Sequence, residues 1–263
     1  MKTYGLLGIA KGQMQEVDRL MMEGYQIPVE LMMEHVGLNL AWLAVNHFTN
    51  GDCTFQVIVG SGNNGGGGLV AARRLSSWGM KTEVFLLKGE DSLRNIPMKQ
   101  LFRLRKIRVP LFEGIPADPI NGNKNLLVLD CFIGYGFKYQ SSEVSNQVFT
   151  YLREQRRVIS LDNPSGLDVT TGVDSGQIKP CATLTIAFVK QGLLKVPSDI
   201  IGDLYLVDIG VPSVVYRKKV GIEWSSPFDL KELRKLEEAF SKDSLHRVSI
   251  QKRRDQNKSS WKV

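Results

Sequence analysis

Short runs of β-branched and aliphatic residues alternate with helical segments along most of this chain, and this alternation limits its fold more than any other feature. The sequence predicts six strands, at 56–60, 82–87, 126–130, 158–162, 182–188 and 204–207. Apolar residues at helical spacing predict helices before and between them, at 12–24, 28–44, 66–78, 92–106 and 142–155. Because the strands are apolar almost throughout, we expect both of their faces to be buried.

This order of elements predicts an α/β fold, a Rossmann-like three-layer αβα sandwich with a mostly parallel sheet. The chain has 263 residues, of which 43% are hydrophobic and 23% charged, as in a soluble globular protein. We expect one domain over 1–220. Residues 221–263 are predicted to add a C-terminal helix, from about Asp229, and then a basic tail.

The sequence predicts a cytoplasmic protein without membrane association. No apolar run approaches the roughly 20 residues that a membrane-spanning helix needs. The segment Met1–Gly8 carries one charge and too short an apolar stretch for a secretory signal.

The cysteines Cys53, Cys131 and Cys181 lie far apart in the sequence. An odd and dispersed set argues against a disulfide framework and against a clustered zinc site. We therefore expect all of them to be reduced. Cys131 could line a pocket, but a role as a small core residue is favoured because free cysteine is often buried.

The positive charge of the chain is concentrated near its C-terminal end. The formal net charge is +7, and seven Lys or Arg stand against two Asp between Lys242 and Val263. Such a run is usually a solvated tail, although Lys and Arg also bind nucleic-acid phosphates. Because Trp261 is the one aromatic residue there that could stack on a base, a specific nucleic-acid function is less favoured.

Methionines and other apolar residues form a stripe along the first two predicted helices. The stripe includes Met14, Met21, Leu31, Met32 and Val36. Core packing or a self-association face explains it better than a binding surface does.

A glycine-rich segment, Gly60–Gly68, directly follows a predicted strand and precedes a helix. Glycine lets the backbone approach a ligand closely, and the free N–H groups at a helix start favour a phosphate. Asn63 and Asn64 add amide donors and acceptors. We interpret the segment as a phosphate-binding loop rather than a merely flexible one. It lacks the Gly-Lys-Ser/Thr of a P-loop and the usual dinucleotide spacing.

Two further strands end on an aspartate. Asp130 begins a glycine-spaced loop, Asp130–Lys138, where it could bind a cation, orient a ribose or cap a helix. Asp162 begins the segment Asp162–Asp168, in which Pro164 stiffens the turn. Because parallel strands end at one sheet edge, where ligands of such folds bind, we expect Gly60, Asp130 and Asp162 to lie together.

Taken together, these segments resemble the YjeF N-terminal domain family, the NAD(P)HX epimerases. The family pattern G-x-G-N-N-G-G-D-G-x-x-A-x-x-L matches Gly60–Leu75, D-x-x-x-G-x-G matches Asp130–Gly136, and D-x-P-S-G-x-D matches Asp162–Asp168. Weaker similarities lie at 31–37, 185–194 and 208–212, so that the resemblance runs from Gln13 to Pro212.

The resemblance implies epimerisation of the R and S hydrates of NADH and NADPH, with Asp162 as the acid/base group. It implies a potassium ion held by Asn64, Asp130 and Ser165. Their amide, carboxylate and hydroxyl oxygens are suitable ligands for a hard cation. It also implies a homodimer formed through the N-terminal helices. The dinucleotide-binding residues would be Asn63, Asn64, Gly65, Gly66, Gly67, Gly134, Tyr135, Gly136, Phe137, Lys138 and Asp162.

One departure bears directly on activity: Gly67 stands where the family has an aspartate of the substrate-binding set. Two alternatives therefore remain. One is a non-catalytic member of the same fold that binds nucleotides or acts as a scaffold, as some relatives do in messenger-RNA decapping. The other is an unrelated Rossmann-like nucleotide enzyme, such as a methyltransferase or an oxidoreductase.

Overall fold

The structure is a computed structural model that describes residues 8–49, 51–116, 125–136 and 142–221, together with the short segments 245–248, 251–252 and 261–262.

A parallel sheet of seven strands forms the centre of the described part. Its strands are β1 (Thr54–Val59), β2 (Lys81–Leu86), β3 (Leu111–Glu113), β4 (Leu126–Cys131), β5 (Val158–Leu161), β6 (Ala182–Ile186) and β7 (Asp203–Val207). Their spatial order is β3-β2-β1-β4-β5-β6-β7. The direction of the sheet's growth reverses between β1 and β4, which is the place where ligands bind in folds of this kind.

Helices cover both faces of the sheet. They are α1 (Lys11–Arg19), α2 (Val29–Phe48), α3 (Asn63–Ser77), α4 (Asn95–Lys106), α5 (Glu143–Glu154), α6 (Ser198–Ile201) and α7 (Ser213–Val215). Side chains of α1–α4 pack with Val57 and Val59 in one core cluster, whereas α5 packs with Ile58 in a second cluster on the other face. The three-layer α/β fold is therefore confirmed.

Several boundaries differ from the prediction. α3 begins at Asn63, so that most of the expected glycine-rich loop is helical and Gly65–Gly68 are buried. The predicted helix over 92–106 divides into a 3₁₀ turn, Glu90–Ser92, and α4. β6 ends at Ile186 because Ala187 takes a φ of +64°. β3 was missed because it has only three residues.

The methionine stripe is mostly core. Met14, Met21, Met32 and Met33 are each at most 6% exposed. Leu31 departs from this pattern, because 57% of its surface is exposed. α1 continues into a π-helical turn, Leu20–Gly24, which alters the direction that later residues would have on a regular helix.

All three cysteines are free, as expected, and Cys131 is a fully buried core residue. None of the described helices is long and apolar enough to cross a membrane.

The predicted helix from Asp229 lies outside the described residues. The described parts of the basic segment are strands. β8 (Leu245–Val248) pairs antiparallel with β7, and β9 (Gln251–Lys252) pairs with β10 (Trp261–Lys262). The boundary after residue 220 stays a prediction.

Candidate functional site

A cavity of about 350 Å³ opens at the carboxyl edge of the sheet. The residues after β1, β4, β5 and β6 contribute to its floor, and side chains of α1 and α2 cover it. The polar residues that line it are Asp18, Asn63, Asn64, Arg94, Tyr135, Asp162 and Lys190. The topology thus brings together groups that lie up to 172 positions apart in the sequence.

Asp162 is held in an uncommon backbone conformation at the end of β5. Its φ is +70°, a value that residues other than glycine rarely adopt, and its side chain lies in the cavity although the residue is only 1% exposed. Its Oδ2 accepts a hydrogen bond of 2.7 Å from the Tyr135 backbone N–H. Strain of this kind persists where the surrounding structure fixes it, and it is concentrated at functional sites.

Lys190 forms a buried ion pair with Asp162. Its Nζ lies 2.5 Å from Asp162 Oδ1 and also donates to the Ile186 carbonyl and to the Thr185 hydroxyl. Lys190 is fully buried. Lys190 lies within the weaker family match at 185–194, but it was not predicted as a site residue, because that match does not reveal which of its polar side chains reaches the cavity.

Asp130 lies beneath the cavity and is fully buried. Its carboxylate accepts hydrogen bonds from the hydroxyls of Ser160 and Ser165 and from the backbone N–H groups of Phe132 and Ser165. Burial raises the pKa of the Asp130 carboxyl, and these hydrogen bonds oppose that rise. Asp130 and Ser165 therefore form one network that joins the ends of β4 and β5.

Asn64 lines the cavity from the first turn of α3. Its Nδ2 donates to the Leu161 carbonyl at 3.2 Å, but its buried Oδ1 has no hydrogen-bond partner among the described residues. A Cβ at Gly134 would lie 3.0 Å from Asp162 Oδ2 and 3.1 Å from Asn64 Oδ1. The absence of a side chain at Gly134 thus leaves room beside both polar groups.

The glycines of α3 divide into packing residues and a cavity residue. A Cβ at Gly65 would lie 1.9 Å from the Gly60 carbonyl oxygen, and one at Gly66 would lie 2.6 Å from Met33 Sδ. Gly67 lines the cavity, and its nearest neighbour would be Leu161 Cδ2 at 3.0 Å. A glycine at 67 therefore leaves the cavity wider next to Leu161 than an aspartate would.

Tyr135 connects the loop after β4 to α1. Its hydroxyl donates a hydrogen bond to Oδ2 of Asp18, which also lines the cavity. Burial raises the pKa of Tyr135, and burial likewise raises that of Asp18. Tyr135 was predicted as a site residue from its glycine-spaced loop. Asp18 was not, because it resembles the other polar residues on its amphipathic helix.

Seven of the predicted dinucleotide-binding residues line the cavity: Asn63, Asn64, Gly67, Gly134, Tyr135, Gly136 and Asp162. Gly65 and Gly66 lie in the same helical turns but are packed against the sheet and α2. Phe137 and Lys138 lie outside the described residues. No group of three or more His, Cys, Asp or Glu side chains that could hold a metal ion occurs in the described part.

The doubly wound sheet, with strand-end polar groups around one cavity, places this chain among the α/β proteins whose ligand site lies at the carboxyl edge of the sheet. Residues 29–192 match the family model of the YjeF-related protein N-terminus. The chain belongs to this family.

Curated relatives agree with this assignment. The chain is 35% identical to the NAD(P)H-hydrate epimerase of Dehalogenimonas lykanthroporepellens over 82% of its own length and 86% of that protein. It is 28% identical to the NAD(P)H-hydrate epimerase of Elusimicrobium minutum, over 80% and 98% of the two chains. It is 30% identical to a bifunctional NAD(P)H-hydrate repair enzyme of Moorella thermoacetica, over 78% of this chain but 40% of that protein.

A solved structure shows the same fold. The crystal structure of the yeast protein ynu0 superposes with a TM-score of 0.75 at 22% identity and covers 92% of this chain and 100% of the yeast chain.

Proposed function

We propose that this protein epimerises the R and S hydrates of NADH and NADPH, with Asp162 as the acid/base group. The observation that carries the proposal is the Asp162 carboxylate, fixed in the cavity by a strained backbone, the Tyr135 N–H and the Lys190 ammonium. The names of the curated relatives support the reaction.

The chemistry needs a positioned carboxylate. In these hydrates a hydroxyl is carried on C6, next to the ring nitrogen, and the two epimers differ at that carbon. Loss of this hydroxyl as water and return of water to the other face invert C6, and each step requires a proton to move. A rigid carboxylate within reach of the ring can accept or donate that proton.

Lys190 is proposed as a positioning residue. Its ammonium contacts Asp162 Oδ1, while Oδ2 accepts the Tyr135 N–H. Both oxygens are therefore oriented before a substrate binds, which reduces the reorganisation needed during proton transfer.

The start of α3 is proposed to bind the phosphates of the dinucleotide. Helix starts carry free N–H groups and a positive dipole end, which favour an anion. Asn63 and Asn64 line the cavity at this start, and exposed Arg94 lies on its rim. Tyr135 and Gly136 would line the opposite side, with Phe137 and Lys138 following in sequence.

A potassium ion is proposed at Asn64, Asp130 and Ser165. The donors are an amide, a carboxylate and a hydroxyl oxygen, which suit a hard cation. The buried Asn64 Oδ1 without a partner fits such an ion, because an unsatisfied buried acceptor is costly. To bind the ion, the Asp130 carboxylate would have to give up some of the hydrogen bonds that it accepts. The ion would supply a positive charge near the reacting ring.

Potassium binding can be tested apart from activity. The thermal midpoint should rise in KCl relative to NaCl at equal ionic strength, because an ion that binds only the folded state stabilises it. Asn64→Ala should abolish this difference, and Asn46→Ala, an exposed control, should retain it. Equal midpoints for the wild type in both salts would contradict the potassium site.

A homodimer through the N-terminal helices is proposed on the family resemblance. The exposed Leu31, Met22 and Tyr25 on this part of the surface support it. Sedimentation of the wild type beside Leu31→Glu would test this, because a charge in an apolar interface should shift a dimer towards monomer.

The proposed activity is tested by following R-to-S conversion of NADHX and NADPHX with purified protein in potassium buffer. An enzyme-free blank is needed because the reaction also proceeds spontaneously. We expect acceleration above the blank. Folded wild-type protein that gives only the blank rate would favour the non-catalytic, nucleotide-binding or scaffolding alternative.

A further inference from the structure

A second carboxyl group, that of Asp18, lines the cavity beside Asp162. Asp18 comes from α1, before the residues that match the family model, and it lines the same cavity as Asp162. It is half-buried, and its Oδ2 accepts the Tyr135 hydroxyl hydrogen bond.

Tyr135 holds both carboxyl groups at once. Its backbone N–H donates to Asp162 Oδ2, and its hydroxyl, at the other end of the same side chain, donates to Asp18 Oδ2. Tyr135 therefore contacts both carboxyl groups, through two different donors of one residue. Asp162 extends from the sheet edge and Asp18 from the helix that covers it, so that the cavity lies between two different walls.

Inversion at C6 needs two proton transfers on opposite faces of the ring. On one face the C6–O bond breaks, the ring nitrogen's electron pair forms the N1=C6 bond, and the departing oxygen takes up a proton and leaves as water. On the other face a water oxygen bonds to C6, the N1=C6 pair returns to nitrogen, and the water loses a proton. One carboxyl group cannot easily reach both faces.

We propose that Asp18 is a second catalytic residue, the carboxyl that exchanges a proton with the C6 oxygen on the ring face opposite Asp162. This inference rests on the epimerase function proposed above. In one direction the Asp18 carboxyl protonates the departing hydroxyl while Asp162 accepts the proton of the incoming water. In the other direction the roles are exchanged, and proton exchange with water resets both groups.

The environment of Asp18 suits a proton donor. Burial raises the pKa of Asp18 and so does the nearby Asp162, whereas the Tyr135 hydrogen bond and the Lys190 charge lower it. Tyr216, on the turn Tyr216–Val220 packed against α1, also faces Asp18, and that turn carries the exposed Arg217 and Lys218. The net result is a raised pKa, which extends the pH range over which Asp18 keeps its proton.

The test compares kcat and KM of the wild type, Asp18→Asn and the surface control Asp199→Asn across pH, with both dinucleotide hydrates. We expect Asp18→Asn to lower kcat by about 100-fold or more, the range for loss of a general acid, with KM changed by less than about threefold. The fall in rate at high pH, where Asp18 loses its proton, should disappear in this variant. Asp18→Glu should recover part of kcat, and Asp199→Asn should match the wild type.

Tyr135→Phe gives a second, independent readout. This substitution removes the hydroxyl that donates to Asp18 but keeps the backbone N–H that donates to Asp162. Because that hydrogen bond lowers the pKa of Asp18, its loss should raise that pKa and move the high-pH limb of the rate profile to higher pH.

The outcomes separate the two proposals. Acceleration by the wild type together with an unchanged kcat in Asp18→Asn would overturn the role of Asp18 alone, as would a lower kcat with an unchanged pH profile. Blank-level rates in the wild type would overturn the function itself. If Asp18→Asn fails to fold, an unshifted high-pH limb in Tyr135→Phe would overturn the inference.

Discussion

Lys190 illustrates how single residues maintain this site. Its ammonium is fully buried and meets three oxygens, of which the Asp162 carboxylate is the charged one. A buried ion pair adds little stability over an apolar pair of similar size, yet removing one partner leaves the other charge uncompensated. The pair is therefore better explained as a means of fixing Asp162 than as a source of stability.

We predict that Lys190→Met lowers the free energy of unfolding by about 3–5 kcal/mol, because it leaves the Asp162 charge buried alone. The double variant Asp162→Asn/Lys190→Met should recover most of this loss. Urea unfolding of the wild type, both single variants and the double variant would measure the coupling. Additive effects of the two substitutions would contradict the ion pair.

Residues in glycine- and proline-marked segments could be predicted from the sequence, whereas isolated polar residues could not. Asp162 and Tyr135 lie in such segments, and the structure brings both to the cavity. Lys190 lies in the weaker family match at 185–194, which assigns it no role, and Asp18 has no local signal. Their positions depend on the packing of β6 and α1 against the strand ends, which single-sequence patterns do not encode.

Among the elements, α3 packs unusually closely on the sheet, because its glycines leave no side chain between the helix and the ends of the strands. A Cβ at Gly65 would collide with backbone, the Gly60 carbonyl oxygen, whereas one at Gly67 would meet the movable end of Leu161. Glycine is therefore required for packing at Gly65, whereas at Gly67 it leaves space in the cavity.

We predict that Gly65→Ala lowers the free energy of unfolding by about 1–3 kcal/mol, the usual cost of overpacking. Gly67→Ala should cost less, because a side chain can move where a backbone cannot. Chemical unfolding of the two variants compares them directly. Equal losses, or a larger loss at Gly67, would contradict this account of α3.

The same glycines explain why the predicted helix begins three residues later than α3. Glycine is a poor helix former, so that the sequence predicts a helix only from residue 66, whereas α3 begins at Asn63. Tertiary packing overrides this preference, since Gly65 and Gly66 allow contacts with Gly60 and Met33 that larger residues would prevent. The strands were predicted more closely, because continuous apolar runs directly reflect burial on both faces.

In the molecule as a whole, the hydrophobic core of the described residues does not include the basic C-terminal segment. The core clusters draw their residues from Ile9 to Tyr216, and the strand that follows, β8, pairs at the outer edge of β7. The fold class could be predicted because alternation and strand composition recur along the chain. The short strands β8, β9 and β10 were not predicted, because their sequence is charged and lacks the alternation of the core strands.

We predict that a chain ending at Gly221 folds with the same core. Its thermal midpoint should lie within about 4 °C of the full chain, equivalent to about 1 kcal/mol for a domain of this size. Circular dichroism during heating would measure it. A truncated chain without a cooperative transition would show that the C-terminal segment is part of the folding unit.

If Asp162 transfers the proton during epimerisation, Asp162→Asn should lose most of its kcat. The isosteric amide keeps the shape of the side chain but removes the carboxylate, and Asp199→Asn, at an exposed ion pair, is the matched control. We predict that Asp162→Asn reduces kcat by at least about 100-fold, while Asp199→Asn matches the wild type. A folded Asp162→Asn protein with wild-type kcat would show that Asp162 does not transfer the proton.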